Sequence, residues 1–327
     1  MDVLIIRFSS LGDIVIATAV VEAINRKIPE ARIHFLTKNT YADIFKGDRR
    51  IENLVAIQGN ESPYKIFRLL GQKSFNAVID LHRSLRSTSV NAFIRSPLKS
   101  TVNKHSLARR LMVLSRNRFR RSFDMLGSYL ETLAPLGISE KVFPRIVPDT
   151  QAMKKAEEIL KGLDKGLFGL APGSRHSTKC WGEKSFARLA DEIAGRGILP
   201  VFIGDENDTE AVERIRSRMS EESISFAGKI DLAVTIAVVS QLQGIITNDS
   251  GPMHIAGALG IPFAAIFGPT HPGLGFAPGY PSGTLLHSRA PCSPCSVHGD
   301  ASCRMEKRVC MDEITYEMVM EKMVCGL

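Results

Sequence analysis

Long hydrophobic runs are missing from this sequence of 327 residues. No apolar stretch approaches the roughly 20 residues that a bilayer-spanning helix needs, so a membrane-spanning protein is not expected. No basic segment precedes the first apolar residues, and "RFSSLGD" interrupts their run, so we expect no signal peptide and a cytoplasmic location. Short repeats and low-complexity tracts are also absent, which argues against repeat architectures and wholesale disorder.

Acidic residues are missing between positions 81 and 123, a stretch called here the basic segment. The formal net charge of the whole chain is +8, and without this segment it would be slightly negative. Such a block favours an anionic partner, which can be nucleic acid, an acidic membrane surface or an acidic carbohydrate. Its eleven cations are Arg83, Arg86, Arg95, Lys99, Lys104, Arg109, Arg110, Arg116, Arg118, Arg120 and Arg121.

Apolar runs typical of strands alternate with helical patterns along the chain. The first half opens with the strand "VLIIRF" and the helix "DIVIATAVVEAINRKI", and the alternation restarts at "GLFGLAPG". This alternation predicts fold class α/β, with parallel sheets covered by helices. The proline-containing "FPRIVPDT" predicts a linker between two Rossmann-like domains, 1–148 and 149–327. The last helix is expected either to stay with the second domain or to pack back on the N-terminal domain.

Polar motifs follow several of the predicted strands, where ligands of open α/β sheets bind. "SSLGD" places Asp13 at the start of the first helix. "APGSRHSTKCW" at 171–181 offers hydroxyls and cations suited to phosphate, although it lacks Walker-loop spacing. "GDENDTE" at 204–210 offers acids, and "NDSGPMHIAG" at 248–257 opens a helix whose N-terminus favours a phosphate.

Local structure offers an alternative explanation for several of these residues. Ser10 and Asp13 match a loose capping box, which would account for the acid without any catalytic role. Asp249 or Ser250 suits the cap of the following helix, and His254 suits a packing role on its first turn. The loop at 171–181 can equally be a polar surface loop.

Three stretches together resemble the lipopolysaccharide heptosyltransferase family: "VLIIRFSSLGDIVIATAVVEAI", "LAPGSRHSTKCWGEKSFARLADEI" and "TNDSGPMHIAGALGIPFAAIFGPTHP". The resemblance runs from residue 3 to about residue 315. It implies the GT-B fold, in which two Rossmann-like domains face each other across a cleft. It also implies an inverting, metal-independent glycosyltransferase that uses ADP-heptose, acts on the lipopolysaccharide inner core, and works peripherally at the cytoplasmic face of the inner membrane.

The resemblance also assigns site residues. In the N-terminal, acceptor-binding domain it makes Asp13 the general base, with His82 and Asp80 as alternatives. The acceptor-binding residues expected there are Ser10, Gly12, His82, Arg83 and Arg86. In the C-terminal, nucleotide-sugar-binding domain Lys179 contacts the diphosphate, Asp208 the ribose (Glu206 and Glu210 stand close by) and Ile230 the adenine. The remaining donor-binding residues expected are Ser174, Arg175, Thr178, Asp249, Ser250, Gly251 and His254.

Four of the six cysteines cluster with the spacing C-x2-C-x7-C-x6-C, at Cys292, Cys295, Cys303 and Cys310. In a reducing compartment such a cluster favours a structural zinc site over disulfides, although this is not a standard zinc module. Free or redox-active thiols are the alternative. No cofactor is expected for catalysis itself.

Two other functions stay open. One is a different GT-B enzyme, such as a UDP-sugar transferase or a nucleotide-sugar epimerase, which nucleotide preference would separate from an ADP-heptose enzyme. The other is a nucleic-acid-binding protein, which the basic segment suggests. Few aromatic residues interleave with its cations and no nucleic-acid-binding module is recognisable, so we expect no nucleic acid partner.

Overall fold

The computed structural model of the protein describes residues 1–71, 74–116 and 122–323. The chain divides into two compact units. The first unit comprises Met1–Lys104 and Asp124–Thr150, and the second comprises His105–Phe123 and Gln151–Leu327. Arg118, Arg120 and Arg121 of the basic segment lie outside the described residues.

The first unit contains a parallel sheet in the order β3-β2-β1-β4-β5. Its strands are β1 (Asp2–Ile6), β2 (Arg32–Lys38), β3 (Ile51–Ile57), β4 (Ala77–Asp80) and β5 (Leu98–Thr101). Its helices are α1 (Leu11–Lys27), α2 (Pro63–Leu69), α3 (Leu85–Phe93) and α5 (Met125–Leu130), with 3-10 helices at Asn39–Phe45 and Glu131–Leu136. The strand β5 lies in the basic segment, which the sequence pattern predicted to be mostly helical.

The core of the first unit follows directly from two apolar runs. Residues 3–6 of β1 are fully buried between β2 and β4, as expected for a central parallel strand covered on both faces. Along α1, residues 14–24 are all buried. The turn between these two elements is therefore held rigidly at both ends, and it carries "SSLGD".

The second unit contains a parallel sheet in the order β11-β10-β9-β6-β7-β8. Its strands are β6 (Leu167–Ala171), β7 (Leu199–Phe202), β8 (Ile224–Ser225), β9 (Gly244–Asn248), β10 (Phe263–Phe267) and β11 (Gly283–His287). Its helices are α4 (Ser106–Leu114), α6 (Thr150–Leu160), α7 (Glu183–Ala194), α8 (Thr209–Arg216), α9 (Leu232–Val239), α10 (Gly251–Leu259), α11 (Val309–Asp312) and α12 (Tyr316–Met323). Across the described residues of both units, none of the helices is long and apolar enough to cross a membrane.

Two segments of the second unit bear on the predicted domain organisation. The helix α12 packs into this unit's own core, where Val319 and Met320 join a cluster with Phe186 and Ile266. The predicted packing of the last helix on the first domain stays a prediction. The helix α4, which the predicted boundary at residue 148 placed in the N-terminal domain, is grouped with the second unit.

Candidate functional site

In each sheet the chain adds strands first on one side of the first strand and then on the other, and this reversal creates a crevice at the carboxyl ends of the strands. In the first unit β1 lies between β2 and β4, and in the second unit β6 lies between β7 and β9. Ligands of open α/β sheets bind in such crevices. "SSLGD" follows β1 and "LHRS" follows β4, whereas the loop at 171–181 follows β6 and "DSG" follows β9. These four motifs thus fall at one crevice in each unit.

Asp13 lies in the first turn of α1, where its carboxylate accepts hydrogen bonds from several directions. Its Oδ2 atom accepts from the Ser10 amide at 3.2 Å and from the Ser10 hydroxyl at 2.7 Å. Nη2 of Arg7 lies 2.6 Å from the same oxygen in a salt bridge. The Tyr129 hydroxyl donates to Oδ1 at 3.3 Å. The Ser10 contacts give Asp13 the capping role that the sequence allows, and the arginine and tyrosine fix it further.

Arg7 is buried, with 5% of the residue exposed. Its Nη1 atom donates to the Leu81 carbonyl at 2.6 Å, and its guanidinium lies 5.7 Å from the centroid of the Tyr129 ring. Burial acts to lower the pKa of Arg7, but the charges of Asp13, Tyr129 and Asp80 outweigh it and raise the pKa. A buried cation at this distance favours the ionised carboxylate of Asp13. The pair therefore holds Asp13 in the form that can accept a proton.

Asp80 is almost fully buried and builds the turn after β4. Its Oδ1 atom accepts from the backbone amides of His82 at 2.8 Å and Arg83 at 2.9 Å. Its Oδ2 atom accepts from the Ser87 hydroxyl at 2.8 Å. These bonds make Asp80 a structural residue and weaken it as the alternative base.

His82 packs edge-on against Phe8, with ring centroids 4.9 Å apart. Burial, followed by the cations of Arg7 and Lys104, lowers the pKa of His82 to about 3. The imidazole is consequently neutral at physiological pH. His82 can offer hydrogen bonds to an acceptor sugar, but it does not add positive charge for an acidic one.

The two predicted acceptor arginines have different surroundings. Arg83 is exposed, has a φ of 43°, and donates to the Val102 carbonyl at 3.2 Å. The Arg86 guanidinium donates to the carbonyls of Gly59 and Glu61 and therefore braces the loop after β3. The charged head of Arg86 is thus already used within the first unit, and its predicted contact with the acceptor stays a prediction.

Three residues around Asp13 were not singled out as site residues from the sequence: Arg7, Lys104 and Tyr129. The single charge within "VLIIRF" signals Arg7, because an arginine beside a buried strand needs a partner. Lys104 follows β5 and is half-buried. Burial and then the charge of Arg7 lower the pKa of Lys104, while Asp13 opposes this shift. Lys104 therefore belongs to the same charged cluster, and nothing in the local sequence indicates it.

In the second unit, Lys179 and Asp249 form the central ion pair. Nζ of Lys179 lies 2.8 Å from Oδ2 of Asp249, and the two side chains are 12% and 11% exposed. The Thr270 hydroxyl donates to the same oxygen at 2.7 Å. The adjacent strands β6 and β9 thus bring together the lysine and the acid that the sequence predicted. Thr270, which follows β10, was not predicted.

Asn248 joins the two loops that carry this pair. Its side chain accepts from the Trp181 amide at 3.0 Å and donates to the Pro172 carbonyl at 2.6 Å. Ser250 precedes α10, which begins at Gly251. The first amides of a helix have no carbonyl of the preceding turn to bond, so they are suited to phosphate oxygens. The predicted residues Ser250 and Gly251 lie where a phosphate would meet these amides.

Asp208 lies directly against the loop at 171–181. A Cβ atom on Gly173 would be 2.1 Å from the Asp208 carboxyl group, so only glycine permits this approach. The Asp205 amide donates to Asp208 at 3.0 Å. Burial raises the pKa of Asp208, and the charge of Asp205 adds to the rise. The predicted alternatives at 206 and 210 are exposed, which favours Asp208 as the acid near a nucleotide.

The remaining predicted donor residues are spread over the same unit. Ser174 and Arg175 begin the exposed part of the loop after β6, and Ile230 lies half-buried between β8 and α9. His254 is buried on α10, with its ring centroid 6.4 Å from that of Tyr280, which fits the packing role. In the first unit, Gly12 is the second residue of α1.

The Thr178 hydroxyl is hydrogen-bonded to the segment around residue 300. Its hydroxyl donates to the Asp300 carbonyl at 2.8 Å and accepts from the Asp300 amide at 2.9 Å. Arg308 supports the same loop, because its Nη1 atom donates to the carbonyls of Ser177 at 3.0 Å and Cys180 at 2.9 Å. Thr178 therefore braces this loop, and its predicted contact with the donor stays a prediction.

The four clustered cysteines lie in and beside this bracing segment, and all are free thiols. Burial raises the pKa of Cys310 to about 11, and the thiols of Cys292, Cys295 and Cys303 add to the rise. Within the described residues, no three His, Cys, Asp or Glu side chains are arranged so that they could hold a metal ion. The structure therefore does not confirm the predicted zinc site.

Comparisons with known proteins show which proteins this chain resembles. The model of glycosyltransferase family 9 (heptosyltransferase) matches residues 64–306. Lipooligosaccharide heptosyltransferase 2 of Haemophilus influenzae is 23% identical over 297 residues, which cover 83% of this chain and 84% of that protein.

Two solved structures share the fold. The glycosyl transferase family 9 structure from Veillonella parvula has a TM-score of 0.82 at 20% identity and covers 100% of this chain and 97% of its own. The E. coli ADP-heptose lps heptosyltransferase II has a TM-score of 0.77 at 19% identity and covers 98% of this chain and 97% of its own. These likenesses confirm the predicted α/β fold class and the GT-B fold.

The family model covers well over half of the chain, including the loops that carry Lys179 and Asp249. The resemblance found in three separate sequence motifs is thereby confirmed, as is the prediction of a glycosyltransferase. The chain belongs to glycosyltransferase family 9, the heptosyltransferase family.

Proposed function

We propose that the protein transfers heptose from ADP-heptose to the inner core of lipopolysaccharide. The observation that carries this proposal is the convergence of Lys179, Asp249 and the N-terminus of α10 at one crevice of the second unit. A relative whose structure is solved is named as an ADP-heptose lps heptosyltransferase, which supports this donor and this acceptor. The second unit would then be the donor-binding domain and the first the acceptor-binding domain.

The departing ADP gathers negative charge on its diphosphate as the bond to the sugar breaks. Lys179 and the first amides of α10 are preorganised donors for that charge, and exposed Arg175 can approach the same oxygens. These protein groups supply the stabilisation that a divalent cation provides elsewhere, so we propose that catalysis is metal-independent. Asp208 would bind the ribose hydroxyls and Ile230 would contact the adenine.

The acceptor hydroxyl is a poor nucleophile until it loses its proton. In the proposed step its oxygen attacks the anomeric carbon from the face opposite the diphosphate, and the bond from that carbon to the phosphate oxygen breaks. ADP leaves with the electron pair, and the proton passes to the Asp13 carboxylate. A single displacement of this kind inverts the anomeric configuration. Arg7 stays charged throughout and holds the carboxylate in position.

An acidic sugar acceptor explains the charge of the first unit. Arg83 and Lys104 lie at or beside the crevice that carries Asp13, and inner-core sugars carry carboxylates and often phosphates. Because the acceptor is a lipid-linked saccharide, we propose that the protein works peripherally at the cytoplasmic face of the inner membrane. The positive charge would serve this acceptor and this surface, with no nucleic acid partner. A gel shift with DNA or RNA at micromolar protein would contradict that part.

We propose separately that the four clustered cysteines bind a structural zinc ion. A structural zinc ion would need Cys292, Cys295, Cys303 and Cys310 to draw together, and it would then stiffen the segment that braces Thr178. The ion would contact no substrate, so catalysis would remain cofactor-independent.

A thermal-shift panel with ADP, UDP, GDP and CMP tests the donor part of the proposal. A ligand at 100 times its dissociation constant stabilises the folded protein by about 2.7 kcal/mol, which is readily measured. We expect ADP alone to raise the melting temperature. The transfer assay then uses ADP-heptose with a heptose-free lipopolysaccharide core, and the product is followed by mass spectrometry. A response to UDP, or no mass increase of the acceptor, would sink the proposal.

A further inference from the structure

The outward face of α4 carries three exposed leucines. Leu107, Leu111 and Leu114 are 75%, 59% and 81% exposed, and Arg110 beside them is exposed too. The spacing i, i+3, i+4, i+7 places these four residues on one side of the helix. Exposed leucines are individually common in proteins, but three on one face of a nine-residue helix form a continuous apolar stripe.

The opposite face holds α4 in place. Arg109 and Met112 are buried there. Nε of Arg109 donates to the Leu274 carbonyl at 2.7 Å, and its guanidinium lies 4.7 Å from the centroid of the Phe276 ring. The helix is therefore anchored through its other side, so the leucine face is the one it presents outward.

We propose that α4 docks on an anionic lipid bilayer, with its three leucines among the acyl chains and Arg110 at the headgroup phosphates. Charge complementarity selects this occupant, because α4 lies in the basic segment, where no Asp or Glu occurs. A helix with an apolar stripe flanked by arginine binds anionic membrane interfaces. A second copy of this chain would instead bring the same positive charges together, which is unfavourable.

This inference rests on the proposed function in one respect, because a lipid-linked acceptor is what gives the enzyme a reason to sit at a membrane. It goes beyond that function because it assigns the membrane contact to α4 and states that the lipids it binds are anionic. The docking helix would keep the enzyme on the surface where its acceptor lies, and it would take no part in the chemistry.

The experiment measures flotation of the full chain with vesicles of phosphatidylglycerol and, separately, of phosphatidylcholine. We expect binding to the anionic vesicles that weakens with salt. The variant Leu107→Ser/Leu111→Ser/Leu114→Ser should bind at least about tenfold more weakly, because each leucine contributes more than a tenfold gain on full burial. Ile159→Ser, at a residue of α6 that is 39% exposed, is the matched control and should bind like the wild type.

Two further readouts separate this proposal from the proposed function. The triple variant should keep the thermal shift with ADP and should keep transfer to a deacylated core saccharide. Absence of wild-type binding to anionic vesicles, or equal binding by the triple variant, would overturn the docking proposal and leave the transferase intact. If the triple substitution abolishes self-association seen by sedimentation while vesicle binding is unchanged, the leucine face joins two copies and the proposal also fails.

Discussion

Asp13→Asn separates the catalytic and capping roles of Asp13. As a base, Asp13 contributes about 10²–10⁴ in rate, whereas as a cap it contributes about 1 kcal/mol of stability and little to chemistry. Asparagine keeps an oxygen that can accept from the Ser10 amide, which Asp13 accepts at 3.2 Å. It cannot take a proton at neutral pH. We therefore expect turnover to fall at least about a hundredfold, with ADP binding unchanged.

The structure adds a stability cost that the capping argument alone omits. Asparagine leaves buried Arg7 without its carboxylate partner, which lies 2.6 Å away. Removing one member of a buried pair costs about 3–5 kcal/mol. Asp13 is 18% exposed and Arg7 also donates to the Leu81 carbonyl, so we expect about 2–3 kcal/mol of destabilisation. That loss lowers the melting temperature by roughly 5–10 °C.

The double variant Asp13→Asn/Arg7→Gln is the control. It removes both charges, so much of the lost stability should return while turnover stays low. Melting temperature by calorimetry and initial rates with ADP-heptose give the two readouts at a temperature where every variant is folded. If either variant keeps more than about a third of the wild-type rate, Asp13 is not the general base.

Three more predictions concern the second unit. Lys179→Ala should lower both turnover and donor affinity, and kcat/KM for the donor should fall by about 10–150-fold. Lys184→Ala, which changes an exposed lysine of α7, should alter neither quantity. A loss in affinity alone would make Lys179 a binding residue. Burial raises the pKa of Asp208, so its charge lowers the free energy of unfolding at pH 7. This loss of stability declines as the pH falls from the raised pKa toward the ordinary pKa of an aspartate. Asp208→Asn should therefore melt no lower than wild type at pH 7 while binding ADP more weakly in calorimetric titration, and a lower melting temperature would contradict the argument. Purified protein should contain about one zinc per chain by metal analysis if the cysteines bind it, and Cys295→Ser should then lower stability without changing nucleotide affinity; metal-free protein prepared with reductant would remove that proposal.

The central strands of the two sheets are predictable because burial on both faces demands continuous apolar runs. Residues 3–6 and 167–171 are such runs, and they place the loops that follow them. The strand β5 has a half-exposed, polar sequence, "LKST", which carries no strand period. Only pairing with β4 makes it a strand, so local patterns miss it.

The candidate sites divide in the same way. Lys179 and Asp249 are predictable from their positions after adjacent strands, because parallel strands bring their carboxyl ends together. Thr270 and Arg308 reach the same loops from other parts of the chain, and no local pattern records such contacts. Thr178 shows the same limit, because a hydroxyl in a phosphate-like loop gives no sign that it also bonds the Asp300 backbone.

Both proposed reactive groups are held by an opposite charge, Asp13 by Arg7 and Lys179 by Asp249. The partner weakens each group somewhat, since an arginine makes a carboxylate a poorer base, but it also holds the group in position before substrate arrives. We infer an order of events from the second pair. A diphosphate carries more charge than a carboxylate, so it draws Lys179 toward itself on binding. In this inferred order Asp249 would then become available to the hydroxyls of the donor sugar, the role that the family resemblance implies for it, and the sugar would be positioned after the nucleotide has engaged.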